Sequence, residues 1–231
     1  MKTRQEIKAN AKEAMKQQWG TSIGAIVLLF AVSFVVGIII GIFSLRAPMI
    51  GSLLSSAISI FVLLPLSVGL YGVFAKIYRK EQTSAGEIFQ GFSVNYLRKV
   101  GGMLWMGLFV WLWTLLLIIP GIIKAFAYSM VPYILADCPN VTAREAMKLS
   151  MRMTKGYKGQ LFVMGLSFIG WLLLGTLTLH ILTIVFVGPY MYTTMAGYYN
   201  ELKKRAIESG TISAAEFGEE VGAVVETEFA N

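Results

Sequence analysis

Three residues could do chemistry inside otherwise apolar sequence: Lys124, Asp137 and His180. His180 is the only histidine, so a histidine metal site or a Ser-His pair would rest on it alone. It is read as a solvated residue in a turn, with a proton-linked role as the alternative. Asp137 is the only acid between Lys99 and Glu145. It suits either a cation or proton contact or a plain helix end before Cys138-Pro139. Lys124 is the only charge in residues 101–136. A charge inside a membrane is a functional hypothesis by default, yet a lysine near the surface can extend to the headgroups. In the first turn of a helix its charge opposes the dipole, which makes an anionic headgroup or a paired acid attractive. Paired carboxylates are missing from the apolar segments, as are a phosphate-binding glycine loop, zinc spacing and any nucleic-acid module. Cys138 is the sole cysteine; it excludes an internal disulfide and is read as a buried thiol, with acylation as the alternative. The expectation is a chain with no catalytic residues, cofactor, metal or nucleic-acid partner.

The elements that must position these residues are apolar. The 231-residue chain is 56% hydrophobic and 14% charged, with a mean hydropathy of +0.65. A soluble domain carries about 25% charged residues, so a bilayer is the expected solvent. The expected fold class is all-α: a polytopic transmembrane bundle of six spans forming three hairpins, with amphipathic interfacial helices. The spans are placed at 22–44, 50–78, 101–119, 121–136, 160–177 and 181–199. The first is read as an uncleaved anchor. Residues 101–136 as one helix would run about 54 Å, against a hydrocarbon core of about 30 Å. A break is therefore expected at Pro120-Gly121. Pro65 lies within span two and Pro189 within span six; Pro65, Pro120 and Pro189 are the candidate hinges. Ser33, Gly37 and Gly41 form a small-residue stripe on span one that permits close helix packing. Packing against span two is the commoner use of such a stripe, and dimerisation is the other.

Three charged lead-in segments precede the hairpins, at 1–20, 83–99 and 141–158. In the first, Ile7, Ala11, Ala14, Met15 and Trp19 share a helical stripe, suited to a membrane surface or to a solvated helix. Thr83 or Ser84 with Glu87, and Thr142 with Glu145, match the capping-box pattern. Residues 1–205 form the membrane domain. Residues 206–231 hold six glutamates and no Lys or Arg, and are expected to be a flexible acidic tail.

Charge fixes the threading. With the N-terminus in the cytoplasm, eighteen of the twenty Lys and Arg fall inside, leaving only Arg46 and Lys124. Five spans would strand Lys203, Lys204 and Arg205 outside, so an even number is expected. Both termini are then cytoplasmic. The basic inner face suits anionic lipid. A loose threefold repeat accompanies this pattern, each second helix carrying a proline followed by aromatics: Pro65 to Tyr71, Pro120 to Tyr128, Pro189 to Tyr192.

The run Trp113-Thr-Leu-Leu-Leu-Ile-Ile-Pro-Gly-Ile-Ile-Lys124, then Tyr133-Ile-Leu-Ala-Asp137-Cys-Pro139, then Ser167-Phe-Ile-Gly-Trp171 and Pro189-Tyr190, resembles the bacterial integral-membrane family known as domain of unknown function 975. The resemblance covers all but the acidic tail. It implies a bacterial plasma-membrane protein and transfers no activity. In that family a glycine-rich turn often precedes the last span; here Thr178-Leu-His180-Ile fills the place. The expected function is a non-enzymatic multi-pass membrane protein that organises lipids or serves a protein partner or a homodimer. The alternative is a small permease or channel using the proline-interrupted helices, which a water-accessible cavity at Pro65, Pro120 and Pro189 would favour.

Overall fold

The computed structural model describes residues 2–93 and 95–218. The described residues are helical throughout, with no strand. Ten α-helices follow in order: α1 Arg4–Gln17, α2 Trp19–Arg46, α3 Pro48–Ile58, α4 Leu64–Tyr78, α5 Tyr96–Leu116, α6 Ile118–Ala127, α7 Val131–Asp137, α8 Ala143–Met153, α9 Lys158–Leu177 and α10 Gly188–Glu208. Single π-turns at Ser59–Leu63 and Thr183–Val187 and 3-10 helices at Ala85–Phe92 and Ala214–Phe217 complete the chain. Five stretches are long and apolar enough to cross a membrane: Trp19–Leu45, Pro48–Tyr78, Tyr96–Leu116, Ile118–Asp137 and Lys158–Leu177. The expected sixth, 181–199, is not among them. It belongs to α10 and the π-turn before it, and α10 carries Asn200, Glu201, Lys203, Lys204 and Arg205 with much of its surface inside the protein.

Local chemistry explains the breaks. Ala47 leaves the helical region (φ −148°, ψ 83°) because a residue before proline clashes there. Each π-turn runs straight into a helix with proline in its first turn, Pro65 in α4 and Pro189 in α10. A π-turn is one way to accommodate the backbone bond that proline deletes. Pro120 is not the break it was expected to be. The chain turns earlier, at the extended Leu117, and Pro120 sits in the first turn of α6, where its missing N–H costs nothing. A second interruption at Tyr128–Met130 separates α6 from α7, so the expected span 121–136 is two helices. Four N-termini carry a complete capping box: Thr3 with Glu6, Ser84 with Glu87, Thr142 with Glu145, and Ser213 with Glu216.

Packing follows a cycle. The helix pairs α2 with α3, and α5 with α6, contact each other, as does α9 with the π-turn Thr183–Val187. Between pairs, the π-turn Ser59–Leu63 touches α5, α6 touches α9, and the π-turn Thr183–Val187 touches α2. The lead-in elements follow the same order: Ala85–Phe92 lies on α4, α8 on α7, and α1 on α10. Helices α4, α7 and α10 meet in a densely buried hub. The α1 stripe Ile7, Ala11, Ala14 and Met15 is buried against protein, so this face is not free for a membrane surface. Lys8 ties α1 to α9 by donating to Ser167 Oγ at 2.7 Å.

Outside the hub the apolar faces are open. Leu45, Leu117 and Leu179, at the three connections, are 87%, 62% and 84% exposed. The Ser33, Gly37 and Gly41 stripe does not pack against the following span: a Cβ on Gly37 or Gly41 would meet nothing within 4 Å. The close approaches lie elsewhere. A Cβ on Gly51 would overlap Ser44, one on Gly121 would overlap Thr114, and one on Gly175 would overlap Thr183, so a glycine faces a hydroxyl residue at each connection. The expected solvated tail is packed as far as Gly218. Ile212 and Phe217 are buried, and Arg152 pairs with Glu216. Glu219, Glu220, Glu226 and Glu228 lie outside the described residues.

Candidate functional site

Asp137 ends α7 and ties the hub together. One carboxylate oxygen accepts from Arg79 at 3.0 Å; the other accepts from Lys203 at 3.0 Å and from the Tyr199 hydroxyl at 2.8 Å. The three charged groups come from the ends of α4, α7 and α10. Arg79 is also held by Glu81 at 2.5 Å. Burial pulls the Arg79 pKa down, but the Glu81 hydrogen bond and the Asp137 and Glu81 charges outweigh it and leave the value raised. The turn after Asp137 is capped from α5: Arg98 donates to the Leu135, Cys138 and Val141 carbonyls, and Asn95 to that of Pro139. A cation at these carbonyls complements the helix dipole. The Cys138 sulfur lies 3.8 Å from both the Tyr199 hydroxyl and the Lys203 ammonium. Both Asp137 oxygens are engaged, so the carboxylate acts as a structural tie.

A ladder of aromatic rings leads from this cluster into the apolar part of the molecule. Tyr199 stacks on Tyr133 with centroids 5.5 Å apart. Tyr133 donates to the Tyr192 carbonyl at 3.1 Å and meets Tyr71 edge-on at 4.9 Å. Tyr71 in turn meets Tyr192 at 5.4 Å. Tyr71, Tyr133 and Tyr192 form the floor of a cleft of about 710 Å³ bounded by α5, α6, α9 and α10. Its walls are Met106, Val110, Trp111, Phe126, Leu161, Met164, Phe168, Met191 and Met195. Thioether and aromatic walls adapt to an irregular apolar ligand. Gly107 and Gly165 also line it, with open space where a Cβ would stand.

The other expected residues are dispersed. Lys124 is half-buried beside α5, its ammonium 5.0 Å from the Trp113 ring centroid and 5.9 Å from that of Tyr128. It lies in the last turn of α6, where the dipole favours a cation, so the expected conflict does not arise. His180 is exposed in the turn after α9 and, with Leu179, adopts a left-handed conformation (φ 66° and 51°). Glycine fits such positions without strain. Pro65 and Pro189 are buried in the hub, Pro120 is at an exposed connection, and none lines the cleft. Among the described residues, no group of three His, Cys, Asp or Glu could hold a metal.

Sequence reasoning did not single out Arg79 or Lys203 as site residues, and it placed the ladder tyrosines only in the proline-aromatic repeat, not in contact with one another. A signal was available: Arg79 and Lys203 each follow the buried proline of their helix by fourteen residues. The capping boxes at Thr3 and Ser213 were equally legible as Ser/Thr-x-x-Glu.

The fold is all-helical among the described residues, with five stretches long and apolar enough to cross a membrane around a tightly tied hub. The family described as protein of unknown function (DUF975) matches over residues 1–123 and 103–206, and the chain belongs to it. Comparison with curated proteins gave no match, and comparison with solved structures gave none.

Proposed function

We propose that this is a non-enzymatic, multi-pass plasma-membrane protein that holds the hydrocarbon chain of a membrane lipid in the cleft between α5, α6, α9 and α10. The observation that carries the reading is the cleft itself: about 710 Å³, floored by tyrosines and walled by methionines and aromatics. Ligand sites of this size and lining are typical for apolar small molecules. A permease would need a path past the cleft floor. Stacked tyrosines and the Asp137 ion ties fill that position, which weighs against the transport alternative.

Six spans arranged as three hairpins, with both termini cytoplasmic, complete the proposal. The cyclic contacts and the glycine-hydroxyl approach at each connection support the hairpins. The eighteen-to-two distribution of Lys and Arg supports the orientation. On this reading α10 crosses shielded by protein, which explains its polar composition. Cysteine introduced at Thr178 is then labelled by an impermeant thiol reagent on intact cells, and cysteine at Ser213 only after permeabilisation.

The lipid reading is tested by filling the cleft. Leucine at Gly107 and Gly165 occupies space that no atom holds within 4 Å of either Cβ position. Native mass spectrometry of the full chain from nanodiscs should show a retained lipid, and the Gly107→Leu/Gly165→Leu variant should lose it at unchanged melting temperature. Equal lipid retention by both proteins, or none by either, rejects the reading.

A further inference from the structure

A second pocket, distant in character from the apolar cleft, lies where α8 and α10 end. It measures about 360 Å³ and is lined by Arg152, Lys155, Tyr157, Arg205, Ser209 and Thr211, among others. Three cations and the Ser209 and Thr211 hydroxyls line it beside the Tyr157 ring. Glu216 is the carboxylate paired with Arg152, which also donates to the Thr211 carbonyl. Lys155 and Arg205 have no carboxylate within salt-bridge reach among the described residues. The Arg205 guanidinium lies over the Tyr157 ring, 5.1 Å from its centroid. The Ser209 and Thr211 hydroxyls are 2.8 Å apart, and Ser209 Oγ lies 3.3 Å from the Ala206 carbonyl; when Ser209 donates to Thr211, the Thr211 hydrogen is left for a ligand. The two helix C-termini disfavour an anion, but Arg152 and Arg205 sit in those last turns and offset them.

We propose that this pocket binds a phosphate group, with Lys155 and Arg205 as its charged ligands and the Thr211 hydroxyl, accepting from Ser209, as a neutral donor. Arginine and lysine around an open, hydroxyl-lined pocket match the several acceptor oxygens and the negative charge of a phosphate. Tyr157 directly precedes α9, a candidate membrane span, so the phosphate of an anionic lipid headgroup and free phosphate are both able to reach the pocket. The lipid source rests on the membrane reading above; the free-phosphate source does not, and neither needs the apolar cleft to be occupied.

The test uses the full chain and a Lys155→Gln/Arg205→Gln variant, with Lys148→Gln/Lys204→Gln as a control of equal charge. Retention of phosphatidylglycerol from mixed phosphatidylglycerol and phosphatidylcholine nanodiscs is read by native mass spectrometry. Stabilisation by inorganic phosphate, against chloride at equal ionic strength, is read by melting temperature in neutral detergent. Retention or phosphate affinity should fall by about tenfold in the Lys155/Arg205 variant and stay unchanged in the control. Loss of lipid retention alone identifies the headgroup source; loss of the phosphate response alone identifies the free ion. Equal behaviour of both variants overturns the proposal. If the double variant fails to fold, phosphate and chloride acting alike on the unmodified protein, together with no preference for phosphatidylglycerol over phosphatidylcholine, overturns it instead.

Discussion

At the scale of single residues, Asp137 ties the ends of α4, α7 and α10 together. It was visible in the sequence as an isolated acid between apolar runs. What it contacts was not visible, because Arg79 and Lys203 lie 58 and 66 residues away. Both cations are largely buried, with side chains 29% and 11% exposed. Asp137→Asn removes the carboxylate that bridges these two cations, at a cost of about 3 kcal/mol. A melting temperature lowered by several degrees in detergent, with little change for Lys124→Gln, is the expected result. The capping and surface glutamates act by a different route. Glu145 is held below the usual carboxylate range first by hydrogen bonding to Thr142, and Glu216 first by hydrogen bonding to Arg152. A folded pKa below the unfolded one means that the stabilisation is fully present above the unfolded value, about 4.3 for glutamate, and is lost as pH falls through the folded value. Thermal unfolding followed against pH should therefore show a decline below about pH 4.3 that Glu216→Gln reduces.

At the scale of elements, composition and capping signals located the helices, and backbone chemistry decided how they end. Charge-free runs and capping boxes were legible, which is why the lead-in segments and five of the apolar stretches stand near their expected places. The connection at Leu117 was not legible, since nothing in Leu115-Leu-Leu-Ile-Ile119 signals a turn and the nearby Pro120-Gly121 attracts the assignment. That the glycine stripe on α2 does not meet the following span was not legible for a related reason: spacing gives a shared face but not the partner of that face. The glycines that face a backbone carbonyl most closely sit in the 3-10 helix Ala85–Phe92 and in α4, where a Cβ on Gly91 would overlap the Pro65 carbonyl and one on Gly69 that of Ile88. Backbone cannot move aside as a flexible side chain can. Gly91→Ala should thus cost about 1–3 kcal/mol, while Gly37→Ala should be neutral or stabilising by about 0.5–1 kcal/mol through helix propensity. Parallel melting curves of the two variants check the contrast.

At the scale of the whole molecule, the repeated unit is a capped lead-in, an apolar helix, a turn and a second helix. The loose proline periodicity hinted at this order but paired the wrong residues. Pro132, in the first turn of α7, occupies the place that Pro65 and Pro189 hold in α4 and α10, and Pro120 belongs to a connection. Each lead-in packs on the second helix of the preceding unit, and α1 closes the cycle on α10. That closure between the first and last helices could not be read from local sequence, because it depends on contacts spanning nearly the whole chain. It also accounts for the distribution of burial: the hub is sealed by aromatic contacts and ion ties, whereas the paired helices leave apolar surface exposed. The cleft lies between two of these pairs, α5 with α6 and α9 with α10.

The most direct test of lipid occupancy is photocrosslinking in nanodiscs with a phospholipid carrying a diazirine in its acyl chain, the adducts being mapped by mass spectrometry. Adducts concentrated on Met106, Met164, Met191 and Met195, and displaced by unmodified lipid, are the predicted result. Adducts confined to the outward faces of α2 and α3, with none at those methionines, would contradict the account.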